Sequence, residues 1–252
     1  MPKKLMRGSA VGAAAFAAAL VLFFSNALGP LEWKSWDLRL RLFSDPGRAN
    51  PDIVLLFIDQ YSLDLYEKEQ NLPWPWPREI YSAVIRYLEE GGAKAVFFDL
   101  ILSESSRSGV EDDAGFAREV ATSGKVFIPF FLSEEEKESD PGARRLLERF
   151  ALKGEAVSGG GERRYRSVTL PLAGILESAR GSGNVRYAPD GDAIYRRIPL
   201  VFPYEGLLLP SLPLALADFI EGGVSPGDIP VDGSGQMIIR YRGPEGTYES
   251  FN

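Results

Sequence analysis

Two apolar runs with a helical segment between them, all within residues 53–101, constrain this chain more than any other feature. The first run, IVLLFI at 53–58, has strand length and no polar face to alternate, as in a central strand covered on both sides. Beyond the next loop, Ile80, Tyr81, Val84, Ile85 and Leu88 recur at three- and four-residue spacings. Glu79, Arg86, Glu89 and Glu90 take the opposite side, which predicts an amphipathic helix. Pro77 suits its first turn, and Gly91 with Gly92 supplies the stop. A second buried strand follows at 95–98. Strand, helix and strand with so short a return make a βαβ unit, with parallel strands and a right-handed crossover.

On that geometry both strands finish at one edge, and Asp59 and Asp99 emerge there side by side, where open α/β sheets hold ligands. Capping of nearby backbone N–H groups is the competing role for such aspartates, and both roles stay open. The loop at 73–78 reads PWPWPR. Prolines on alternate positions hold it extended and send Trp74 and Trp76 to opposite sides, one over the sheet edge and the other free to border a cleft with Arg78. An aromatic and cationic rim suits a small ligand, while a Trp-Pro lid that only closes the core is the alternative. The residues placed to line such a site are Asp59, Tyr61, Trp76, Arg78, Asp99, Ser103 and Glu104.

The N-terminus sets the topology. After Lys3, Lys4 and Arg7 no charge appears until Glu32, and the uncharged stretch is long enough to span a bilayer if counted on to Leu28. Basic residues precede it, so residues 1–8 belong in the cytoplasm, 9–30 form a single transmembrane anchor in the inner membrane, and 31–252 lie outside. A cleaved signal peptide is the alternative, since Ser25, Asn26 and Ala27 resemble a small-x-small site. Three of the 28 basic residues precede the anchor, so the exported part carries 25 against 35 acidic residues, a net charge of −10. An acidic surface of that kind repels nucleic acid, which is set aside as a partner.

Next in order, Trp33 and Trp36 with Leu40 and Phe43 mark a juxtamembrane helix, at headgroup level if the anchor continues. One helical turn is expected at 62–66. Glu111, Asp112 and Asp113 start a helix with Phe116, Ala117, Val120 and Ala121 on its buried stripe, stopped by Gly124. KVFIPFF at 125–131 is a third strand, and Pro129 argues for an edge or a bulge. Residues 133–164, charged and punctuated by Gly159–Gly161, read as a solvated excursion with one short helix near 143–152. Helices are expected at 172–179 and 211–220, the latter burying Leu212, Leu216, Phe219 and Ile220. Pro189, Asp190, Gly191 and Asp192 between 185–187 and 194–202 signal a hairpin, and 236–241 is the last strand before a polar tail. The fold class is α/β: a mixed, mostly parallel sheet flanked by helices and preceded by a transmembrane helix.

Cys and His are absent, which removes thiol and imidazole nucleophiles and ligands. Neither a Walker phosphate loop nor G-x-G-x-x-G is present, and no cofactor or metal is assigned. The order of WDLRLRLF, IVLLFIDQYSL, PWPWPR, GGAKAVFFDLILSE, PDGDAIYRRIPL and IIRYRGP resembles the extracytoplasmic CHASE sensor domains of the second type, over about residues 31–244. The resemblance implies reception of a small-molecule or periplasmic stimulus, not catalysis, for a receptor whose output is an adenylate or guanylate cyclase, a histidine kinase or a Ser/Thr kinase. Family members usually continue past the RYRGP strand to the membrane and an output domain, so the sensor is expected to be C-terminally incomplete here. An exported Mg²⁺-dependent phosphoryl-transfer enzyme using Asp59 and Asp99 is the competing function, though Asp59-Gln60-Tyr61 lacks the D-x-D of aspartate-nucleophile phosphatases. A purely structural, homodimeric role is a third.

Overall fold

The structure is a computed structural model that describes residues 2–25, 29–137, 141–153 and 165–252. Gly159–Gly161, Asn26 and Ala27 lie outside the described residues. In chain order the elements are α1 (Pro2–Phe24), α2 (Gly29–Phe43), β1 (Val54–Leu56), α3 (Gln60–Gln70), α4 (Arg78–Glu90), β2 (Val96–Phe97), α5 (Val110–Ser123) and β3 (Val126–Ser133). Then follow α6 (Ala143–Glu148), β4 (Ser167–Thr169), α7 (Ala173–Ser178), β5 (Gly181–Asn184), β6 (Arg197–Pro199), β7 (Val201–Tyr204), β8 (Leu207–Pro210), α8 (Leu212–Glu221), β9 (Gln236–Ile238) and β10 (Glu249–Phe251). The chain divides into two compact units: residues 1–59 with 240–252, and residues 60–239.

In the larger unit β3 is the organising strand. It runs parallel to β2 and β5 and antiparallel to β4, making a mixed, mostly parallel four-stranded sheet. Val126 and Ile128 face a core shared with Tyr81 and Ile85 of α4, Phe116 and Val120 of α5, and Ile175 of α7. Phe127 turns the other way onto Phe219 of α8, with ring centroids 5.4 Å apart. A second core gathers Phe130 and Leu132 with Leu147 of α6 and Phe202, Tyr204 and Leu209 of the β7–β8 hairpin. That hairpin closes through Glu205 and Gly206, both at positive φ (46° and 79°), as a tight two-residue turn requires.

Several expectations hold and several do not. The helices α4, α5 and α8 stand where periodicity puts them, α5 and α8 ending on left-handed Gly124 and Gly222. On α8, however, Ile220 is exposed and Leu214 joins Leu212 in the interior. The single helical turn at 62–66 extends into the whole of α3. Pro129 does not push β3 to an edge. The carbonyls of Lys125 and Phe127 accept from the β2 side, and those of Val126 and Phe130 from the β5 side, so Pro129 faces the β2 side beyond the end of that ladder, where no N–H is needed.

The hairpin expected around 190–192 is a turn without a ladder: Ala193 N–H donates to the Asp190 carbonyl, yet β6 pairs with β9 and the strand after 184 is not formed. The strand that forms instead is GSGN of β5, to which the sequence assigns no element. A Cβ at Gly181 would lie 2.3 Å from the Phe127 ring, and one at Gly183 would lie 2.5 Å from the Leu212 backbone, so close crossings exclude side chains there.

The smaller unit departs most. The first apolar run does form a strand, but β1 pairs in parallel with β10, which reads as polar tail, while β2 pairs with β3. The βαβ pairing of 53–58 with 95–98 is therefore absent. Every side chain from Ile53 to Ile58 is exposed, because a two-stranded ladder brings no layer to cover either face. Among the described residues no single helix is long and apolar enough to cross a membrane, and Val11–Phe24 with Gly29–Phe43 qualifies only as a bent pair. The single span expected over 9–30 is thus not shown. Pro30 stands in the first turn of α2, where its missing N–H costs nothing.

Candidate ligand site

Arg78 opens α4 and is 5% exposed, so its charge must be met inside the protein. Its Nε donates to Asp113 Oδ1 at 3.0 Å and its Nη2 to the Glu104 carbonyl at 2.6 Å. Asp112 caps the helix from outside, accepting the backbone N–H groups of Arg78 (2.7 Å) and Glu79 (3.0 Å). Ser106 completes the cluster, donating its N–H to Asp113 at 2.9 Å and its hydroxyl to Asp112. The starts of α4 and α5 and the loop before α5 are thereby tied at one point. Asp112 and Asp113 read as plain helix-start residues. Their partnership with Arg78 follows only from the α4–α5 packing.

Trp76 is buried, with Tyr66 at 4.5 Å and Trp74 at 5.5 Å between ring centroids. The two indoles therefore do not diverge to opposite sides: the chain bends at Trp74 and Pro75, and the rings meet edge to face, the arrangement their quadrupoles favour. Tyr81, one turn into α4, packs edge-on against Phe98 and Phe116. Burial pushes its hydroxyl up to about 12, with the Arg78 charge opposing.

At the end of β2, Asp99 is exposed and lies close enough to Tyr187 to act on its ionisation. Burial first, and the Asp99 carboxylate second, raise the Tyr187 hydroxyl above its ordinary range, and that hydroxyl donates to the Asn184 carbonyl at 3.2 Å. Asn184, fully buried, accepts the Leu132 N–H at 2.9 Å and so fixes the loop after β5 to β3. Tyr187 is the residue that sequence reasoning missed here. A strand of glycines gave no apolar signal to place it at the same edge as Asp99.

Of the seven predicted residues, the structure joins Arg78 and Glu104 in the loop cluster, Glu104 by its carbonyl, while Trp76 packs with Tyr66 and Trp74. Asp99 meets Tyr187 instead, Ser103 is exposed beside the cluster, and Tyr61 is exposed on α3. Asp59 belongs to the smaller unit, where it accepts from Asn252 Nδ2 at 2.9 Å. The two aspartates invoked for magnesium end strands of different sheets. Among the described residues no group of three or more His, Cys, Asp or Glu side chains could hold a metal ion.

A second polar centre lies in the D-G-D…R-R segment. Arg196 is 2% exposed and donates to Asp190 at 3.0 Å and to both oxygens of Asp192 at 2.9 and 2.8 Å. Arg197 bonds Asp190 at 2.5 Å and reaches Asp232 at 3.5 Å. The Arg196 guanidinium holds the Asp192 carboxyl down at about 2.

Searches of curated proteins and of solved structures return no significant match. The family model of the CHASE2 domain matches residues 14–252, nearly the whole chain. The chain therefore belongs to the CHASE2 domain family, the extracytoplasmic sensory domains of signalling receptors.

Proposed function

We propose that this chain receives a small-molecule stimulus outside the inner membrane and relays it to a cytoplasmic cyclase or kinase, with residues 1–8 inside, 9–30 as anchor and 31–252 as sensor. The family match over 14–252 carries the reading. The smaller unit supports the relay. In it α2 is followed by β1, whose ladder with β10 is closed by Phe57 N–H donating to the Phe251 carbonyl at 2.8 Å. A Cβ at Gly243 would lie 2.9 Å from the Pro46 ring, so the last residues pack directly on the chain leaving α2. A change at the ladder would act at once on the helix nearest the membrane. Binding drives such a change only if the ligand prefers one of two arrangements.

Reporter fusions after Asn252 test the topology. Alkaline phosphatase should be active and green fluorescent protein dark, and the reverse pattern would overturn the reading. In the intact receptor, Asp99→Asn with Tyr187→Phe should shift cyclic-nucleotide or phosphotransfer output, and unchanged output would remove that edge from the site.

A further inference from the structure

Four buried side-chain atoms lack a hydrogen-bond partner among the described residues: Nε1 of Trp36, Nε1 of Trp76, the Tyr81 hydroxyl and Oγ of Ser123. Native interiors seldom leave a buried donor unmet, and each exception asks for a reason. Trp76 is distinguished by what its neighbours in the chain hold. Segment 103–109 is fastened on both sides of it in the chain: Arg107 Nη1 donates to the Trp74 carbonyl at 3.4 Å, and Arg78 Nη2 to the Glu104 carbonyl at 2.6 Å. Ser106 adds its two bonds to Asp112 and Asp113. No residue of 103–109 is buried, so polar fastenings and not apolar packing hold the segment down. Its ends differ. Leu102 is buried and its carbonyl accepts from Leu172 at 2.9 Å, whereas Gly109 sits at φ +97°, a conformation open to glycine and strained for other residues.

We infer that 103–109 is a lid latched by Arg78, and that the Trp76 indole N–H beneath it is the anchoring donor for a small, flat molecule bearing a carboxylate or carbonyl acceptor. The donor dictates an acceptor, since an indole nitrogen accepts nothing. Tyr66 and Trp74 pack on the same ring, and a flat body suits such an aromatic cluster. This deepens the sensory reading and rests on it for its biological use. Lid release is the two-state event that a ligand would bias.

Indole ¹⁵N–¹H spectra of the whole chain in detergent contain one signal for each of its four tryptophans. The Trp76 signal is assigned with Trp76→Phe. Titration with benzoate, and with benzamide as the neutral acceptor, should shift the Trp76 signal while leaving those of Trp33 and Trp36. Asp113→Asn loosens the latch and should tighten the apparent affinity for benzoate by about tenfold, because the competent open form becomes more populated. Ser106→Ala is the milder variant should Asp113→Asn fail to fold. A Trp76 signal unmoved by both probes in wild type and variants, or an equal response of all four indoles, overturns the inference. A shift at Trp76 with no change in the output of the intact receptor keeps the site and removes the sensory reading instead.

Discussion

Two buried arginine centres hold the polar interior of the larger unit, and they are built in opposite ways. Arg196 finds its carboxylates four and six residues earlier, on the turn that leads into its own strand. Arg78 reaches 35 residues along the chain to Asp113 and 26 to the Glu104 carbonyl, and so joins two helices and a loop. The first centre closes short loops, whose entropy cost is small, and can form with the turn itself. The second can form only once α4 and α5 have packed. Arg196 is also the more heavily committed: two arginines there face three carboxylates, while Arg78 shares its load with backbone groups.

The largest expected effect comes from Arg196→Ala. The substitution breaks the buried pair with Asp190 and removes a 2%-exposed side chain, but Asp190 keeps Arg197 and the half-exposed Asp192 turns to solvent. The cost therefore falls at the low end for a broken buried pair, about 3 kcal/mol. In a chain of this size that lowers Tm by roughly 10 °C, which calorimetry would register. A shift of only a degree or two would mean that water reaches the turn and that the two centres are alike. Arg78→Ala should cost less, about 2–3 kcal/mol, because Asp113 retains the Ser106 N–H. A double-mutant cycle with Asp113→Ala isolates the pair: a coupling of about 1–3 kcal/mol is expected, and additivity would show that the helices are held by packing alone.

The same contrast explains how far the sequence could be read. Helices α4, α5 and α8 announce themselves because an apolar stripe and a terminal glycine are both local. Burial demand in β3 is equally plain, since VFIPFFLS is apolar and interior. Pairing is not local. IVLLFI asks to be covered, but nothing in those six residues names β10 as the neighbour of β1, and no polar tail signals that it will become a strand. Glycine hides β5 for a related reason: Gly181 and Gly183 are required by what crosses them, Phe127 and the start of α8, and not by their own strand preference. At the candidate site, Trp76 and Arg78 are visible because PWPWPR is unusual. The carboxylates that hold Arg78, and the tyrosine beside Asp99, depend on which helices and strands become neighbours. Asp-Gly-Asp was legible as a turn, but its role as clamp for a buried arginine was not, since Arg196 reads as one more strand residue.

Acid gives the finest test of the local centre. The folded Asp192 carboxyl titrates at about 2 against an ordinary 3.8, chiefly because the Arg196 guanidinium bonds its charged form. A folded pKa lowered in this way contributes stability above the unfolded value, and that contribution is lost as pH falls from near 4 through about 2. The Asp192 side chain is 49% exposed, so solvent screens the pair and the effect should be the smallest of the three. Measured as Tm between pH 5 and pH 2, Asp192→Asn should descend less steeply than wild type over that window. In an Arg196→Ala background the two curves should coincide, because the cause of the shift has gone. Curves that stay parallel in the wild-type background would show that the bond to Arg196 does not distinguish the charged carboxylate, and the turn would then be held by its backbone.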